Sequence, residues 1–134
     1  MEAPQTPGEL AAALGEAAAH GRPIALSGNN SKRLMAGPTA PAECVVTTAA
    51  LKRVIEYEPR DLTISVEAGL AWRELTSLTA QSRLMAPLDP PFAREATVGG
   101  VIASNGSGPR RRLYGRDGLR LCQGSAPGAQ DHGG

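Results

Sequence analysis

The chain has 134 residues, 14 Lys or Arg against 13 Asp or Glu, and a formal net charge of +1. That length suits one domain or part of a larger one, and the near-neutral balance disfavours nucleic acid as the main partner. Hydrophobic residues are 41% of the chain but aromatic residues only 3%, and much of the apolar count is Ala, so the expected core is thin and needs a ligand or a further segment.

No stretch approaches the ~18 uncharged apolar residues of a membrane span. The start, MEAPQTPGEL, has neither a basic n-region nor an apolar h-region. Cys44 and Cys122 form no metal or redox spacing. The expectation is a reduced, cytoplasmic protein with no transmembrane segment.

The first element has helical grammar. Thr6 suits the N-cap, Pro7 the first helical position, and Glu9 a capping box. Leu10, Ala13, Leu14, Ala17 and Ala18 follow at helical spacing, and Gly21 after His20 marks the end. PIAL at 23–26 reads as a short buried strand, and residues 27–38 as a polar loop. Cys44 to Thr47 reads as a second strand, and Ala49 to Arg53 as one helical turn.

Val54 to Tyr57 and Leu62 to Glu67 read as strands joined around Pro59, Arg60 and Asp61. In the second, Leu62, Ile64 and Val66 alternate with polar residues, the period of a half-buried strand. Trp72, Leu75 and Leu78 share one face of a helix over about 70–82. The order predicts a mixed α+β sheet. From Met85 three prolines and a Gly-Gly step break the pattern, and from Arg116 the composition reads as a disordered tail.

Two segments can hold an anion through backbone groups. The loop Ser27-Gly28-Asn29-Asn30-Ser31-Lys32 follows a strand. Gly28 permits close approach, the amides of Asn29 to Lys32 can form a nest, Ser31 adds a hydroxyl and Lys32 a charge. The GxxxxGK[ST] spacing is absent, and a plain polar connector is the competing reading. In the second segment, Ala96 to Asn105, Thr97 can cap a short helix whose first turn holds Gly99 and Gly100. Anion binding at free amides there competes with tight packing through the glycine pair.

Arg110-Arg111-Arg112 reads as a solvated face. Acid–base candidates are poor: His20 sits at a helix end, and Asp61, Glu67 and Asp89 lie beside turns. Two backbone anion sites without catalytic side chains suit a cofactor that brings its own chemistry.

Taken in order, the GNNSK loop after PIAL, EYEPRDLTISVEAG, and PLDPPFAREATVGGVIASNGSGPRRRLYG resemble the FAD-binding domain of the PCMH-type (vanillyl-alcohol oxidase) flavoproteins, over about residues 6–115. Within that family the chain resembles the FAD-binding subunits of glycolate oxidase-like enzymes. The resemblance implies two small α/β lobes with FAD between them, the second lobe incomplete. It implies that Gly28 to Lys32 and Thr97 to Gly100 clasp the pyrophosphate, while Pro90, Ala96, Asn105 and Gly108 flank the flavin or its ribityl chain.

It also implies oxidation of a 2-hydroxy acid with hydride passing to flavin N5, companion subunits of a glycolate oxidase-like complex, and noncovalent FAD, since no His is placed for attachment. Tyr114-Gly115 runs into Arg116-Asp117 two residues earlier than the family pattern, and the following residues do not restore its aliphatic strand. The expectation is therefore a partial FAD-binding domain over 1–115, inactive alone, with a disordered or frame-shifted tail over 116–134. The alternatives are a non-catalytic module that docks on partner subunits, or an unstable truncated fragment.

Overall fold

The computed structural model describes residues 1–35 and 37–104. Helix α1 spans Pro7–Ala19. Its start follows the capping grammar: Thr6 Oγ1 accepts the Glu9 N–H at 3.2 Å, and the Glu9 carboxylate accepts the Gln5 N–H at 2.7 Å. Its end is a Schellman turn, with Gly21 N–H donating to Ala18 O at 3.1 Å and Arg22 N–H to Ala17 O at 2.9 Å.

Strands β1 (Ile24–Ser27) and β2 (Cys44–Thr47) pair in parallel, Ser27 opposite Thr47. Among the described residues, the crossover between them holds a 3-10 turn at Arg33–Met35. On the other edge of β2, Glu2 forms a parallel bridge to Val46. Ala17 and Val46 are buried here, which makes a first, small lobe.

Strands β3 (Val54–Glu58) and β4 (Thr63–Val66) form an antiparallel pair around a 3-10 turn at Pro59–Asp61. Helix α2 covers Trp72–Gln81 and helix α3 Val98–Ala103. They enclose the main core: Leu70, Trp72, Leu75, Leu88, Ala96, Val98 and Val101, with Ile64 and Val66 packed against it. The α+β class and the two small lobes are as expected.

The strands form two separate two-stranded sheets rather than one mixed sheet, and β1 is not a buried strand, since Leu26 is 61% exposed. Three further details differ from expectation. Residues 49–53 form a turn rather than a helical turn, because Leu51 O and Arg53 O accept the N–H groups of Gly69 and Glu67, at 2.7 and 2.9 Å. Leu62 does not face the core. It closes the 3-10 turn in the left-handed region (φ 57) and is exposed. On α2 the buried positions are Trp72, Leu75 and Thr79, while Leu78 is only half-buried. The lobes meet where Gly69 passes the 48–51 turn: a Cβ at Gly69 would collide with Thr48 O and lie 2.6 Å from Leu51 O.

Candidate functional site

The two segments singled out in the sequence meet, although about seventy residues separate them. Gly28, at the end of β1, lies against Thr97, and a Cβ on Gly28 would sit 2.6 Å from Thr97 Oγ1. One residue on, Asn29 Nδ2 donates to Glu95 O at 3.1 Å. The first loop of one lobe is thus joined to the turn that leads into α3 in the other.

The loop is open on its amide side. Among the described residues, the N–H groups of Asn29, Asn30, Ser31 and Lys32 have no protein acceptor. Asn30 adopts the left-handed region (φ 54), which asparagine tolerates and which lets successive amides converge. Ser27 Oγ and Lys32 Nζ are shielded from solvent without a hydrogen-bond partner among the described residues. Burial pushes the Lys32 ammonium below the usual lysine range.

The carbonyl side is held. Thr48 N–H donates to Ser27 O at 2.8 Å, and Thr47 Oγ1 donates to Gly28 O at 3.3 Å.

The 96–100 segment is arranged differently. Ala71 and Thr97 form an antiparallel bridge. Val98 N–H donates to Leu70 O and Gly99 N–H to Ala68 O, both at 2.8 Å. Thr97 caps α3 as expected, its Oγ1 accepting Gly100 N–H at 3.2 Å. The first-turn amides therefore have acceptors inside the protein. Gly99 is a packing glycine: a Cβ would lie 2.8 Å from Ala68 Cβ and 3.0 Å from Ala68 O. Ala96 is buried in the core cluster.

Pro90 is buried and lines a different feature, a groove of about 510 Å³ between α2 and residues 84–94 that also includes Trp72, Arg73 and Arg94. None of residues 27–32 or 96–100 lines that groove. Asn105 and Gly108 lie outside the described residues.

Of the acid–base candidates, His20 is the C-cap of α1, its Nδ1 2.8 Å from Glu16 O. Glu67 opens the 67–70 turn, its O accepting the Leu70 N–H at 3.1 Å, and its carboxylate is engaged as well. Its side chain is buried, accepts from Arg53 Nη2 at 2.8 Å and Nε at 3.0 Å, and also accepts the Arg53 N–H at 2.8 Å. The hydrogen bond from Arg53 holds its carboxyl below the usual carboxylate range. Among the described residues no group of three or more His, Cys, Asp or Glu is placed to hold a metal ion. No helix among them is long and apolar enough to cross a membrane.

Sequence reasoning missed Thr47 and Thr48. The available signal was a hydroxyl pair at the end of a strand parallel to the one that launches the loop.

Residues 2–121 match the family model described as FAD binding domain. The chain belongs to the FAD-binding domain family, of the PCMH type. Over 90 residues it is 28% identical to glycolate oxidase subunit GlcE of Escherichia coli (strain K12), covering 66% of this chain and 25% of that protein. It is 32% identical over 94 residues to the mitochondrial D-lactate dehydrogenase [cytochrome] of Kluyveromyces lactis, covering 69% of this chain and 16% of that protein. Among solved structures, alkyldihydroxyacetonephosphate synthase superposes with a TM-score of 0.71 at 21% identity, covering 84% of this chain and 23% of that one. The last likeness concerns the fold. The FAD-binding chain thus spans a quarter or less of the length of these relatives.

FAD is the cofactor of this domain, and the loop suits it. Amides, a hydroxyl and an ammonium with no partner among the described residues suit a dinucleotide pyrophosphate.

Proposed function

We propose that the chain is the FAD-binding portion of a flavoprotein that oxidises a 2-hydroxy acid, with FAD held noncovalently and with activity dependent on companion subunits like those of glycolate oxidase. The observation that carries the site is the set of unengaged donors at 27–32: the amides of Asn29 to Lys32, Ser27 Oγ and Lys32 Nζ, at the junction of two lobes. In this reading the pyrophosphate lies on those donors. The Ala96–Gly100 segment forms the wall behind Gly28, and Pro90 belongs to the flank nearer the flavin. Bound FAD supplies the two-electron acceptor for hydride.

The protein's own part is to hold the phosphates. Lys32 offsets their charge, and the amides orient them without a side chain that must be ordered first. The likeness to the glycolate and D-lactate enzymes named above supports this substrate class. A reduced, cytoplasmic setting belongs to the same reading, because Cys44 and Cys122 have no redox spacing.

The test is FAD uptake by the purified full chain. The expected result is a yellow protein, stabilised by about 2.7 kcal/mol at a hundredfold excess of FAD over Kd, that releases all flavin on acid denaturation. A colourless chain with no thermal shift overturns the reading, and flavin retained by the denatured protein overturns noncovalent attachment. Glycolate-dependent dye reduction with and without companion subunits then decides the substrate and the partners.

A further inference from the structure

Thr47 lies outside the proposed pyrophosphate site, yet its hydroxyl makes two hydrogen bonds to the chain around it. It donates to Gly28 O at 3.3 Å and accepts the Ala49 N–H at 3.2 Å. Thr47 is buried, and it sits opposite Ser27 in the parallel pair. In a trans peptide the carbonyl of one residue and the N–H of the next point in opposite directions, and the described chain has no cis bond. Whatever holds Gly28 O toward β2 therefore turns the Asn29 N–H away from β2, to the open side of the loop. From the other lobe, Asn29 Nδ2 fastens the same residue to Glu95 O.

We propose that Thr47 and the Asn29 side chain are positioning residues. They grip the loop from two sides so that the amides of Asn29 to Lys32 stay aimed at an anion, without touching it themselves. A preset donor array loses no conformational freedom on binding, and releasing it lowers affinity without removing any donor. This rests on the proposed pyrophosphate site and assigns a role to Thr47, a residue outside that site.

The experiment compares the full wild-type chain with Thr47→Val, Thr47→Ser and Asn29→Ala, by FAD titration and by backbone order parameters of residues 29–32 in the FAD-free proteins. Thr47→Val keeps the shape and removes the hydroxyl, and Thr47→Ser restores it. The expected result is about tenfold weaker FAD binding for Thr47→Val, the loss of roughly one hydrogen bond, with Thr47→Ser close to wild type. The loop order parameters should fall from about 0.85 toward 0.6 in Thr47→Val and in Asn29→Ala. A purely structural role for Thr47 would lower thermal stability and leave both readings unchanged.

If Thr47→Val does not fold, Asn29→Ala, at an exposed position, decides the matter through the same two measurements. Wild-type FAD binding with unchanged affinity and unchanged loop order in the variants overturns this inference alone. A wild-type chain that takes up no FAD overturns the site, and the inference with it.

Discussion

The 27–32 loop and the 96–100 segment carry similar grammar, glycine and small polar residues next to an extended stretch, but the fold uses them in opposite ways. In the loop, carbonyls are tied down and the amides of residues 29–32 have no acceptor among the described residues. In the 96–100 segment the neighbouring chain at 68–71 takes the amides, and Gly99 lets Ala68 come close. A glycine beside a helix start is thus no guide by itself to an anion site. The fate of the adjacent N–H groups decides, and that depends on whether another strand runs alongside.

The contrast can be tested most severely at Gly99. Gly99→Val should destabilise the FAD-free chain by about 3 kcal/mol through overpacking against Ala68, read as a lower thermal midpoint. A variant that folds normally but loses FAD would mean that this segment touches the cofactor after all.

Lys32→Met should do the reverse. It should weaken FAD binding about tenfold by removing a charge-assisted donor and leave the free chain at least as stable as wild type, since burial penalises the ammonium. The pH dependence follows from the lowered Lys32 pKa. FAD affinity should fall as pH rises through that value, because the neutral amine no longer attracts the phosphates. The free chain should gain stability over the same rise, because the unfolded chain keeps its proton to higher pH. Lys32→Arg should hold its FAD affinity across this range, and a wild-type titration flat in pH would remove Lys32 from the site.

Thr97→Ala, which removes the cap of α3 but not the loop, should cost about 1 kcal/mol, with Thr97→Ser restoring it. Equal loss in both would show that the methyl packing, and not the cap, matters.

The smallest effect at neutral pH is expected at Glu67, outside both segments. Its folded pKa is held down by Arg53, so its contribution is present above the ordinary carboxylate value and is lost as pH falls through the lower folded one. Glu67→Gln should flatten the acid limb of the stability profile, and an unchanged acid limb would mean that the pair with Arg53 adds nothing.

The local elements of this protein follow from its sequence. The Thr6–Pro7–Glu9 cap, the Gly21 stop and the hairpin around Pro59 each depend on residues within a few positions, where backbone preferences and short hydrogen bonds act. The candidate loop and the glycine pair were legible for the same reason. What only the tertiary structure decided is where the hydrogen bonds and charges go across long separations. It set Ala68 and Leu70 against the amides of α3, Arg53 on Glu67, and Thr47 and Glu95 on the loop. Neither an engaged amide nor a buried carboxylate has a sequence signature of its own, because its partner is chosen by the path of the whole chain. Part of the opening composition finds its explanation there. Where the chain presses close, at Gly28 against the Thr97 side chain, at Gly69 against the 48–51 backbone and at Gly99 against Ala68, contact replaces aromatic bulk in a thin core.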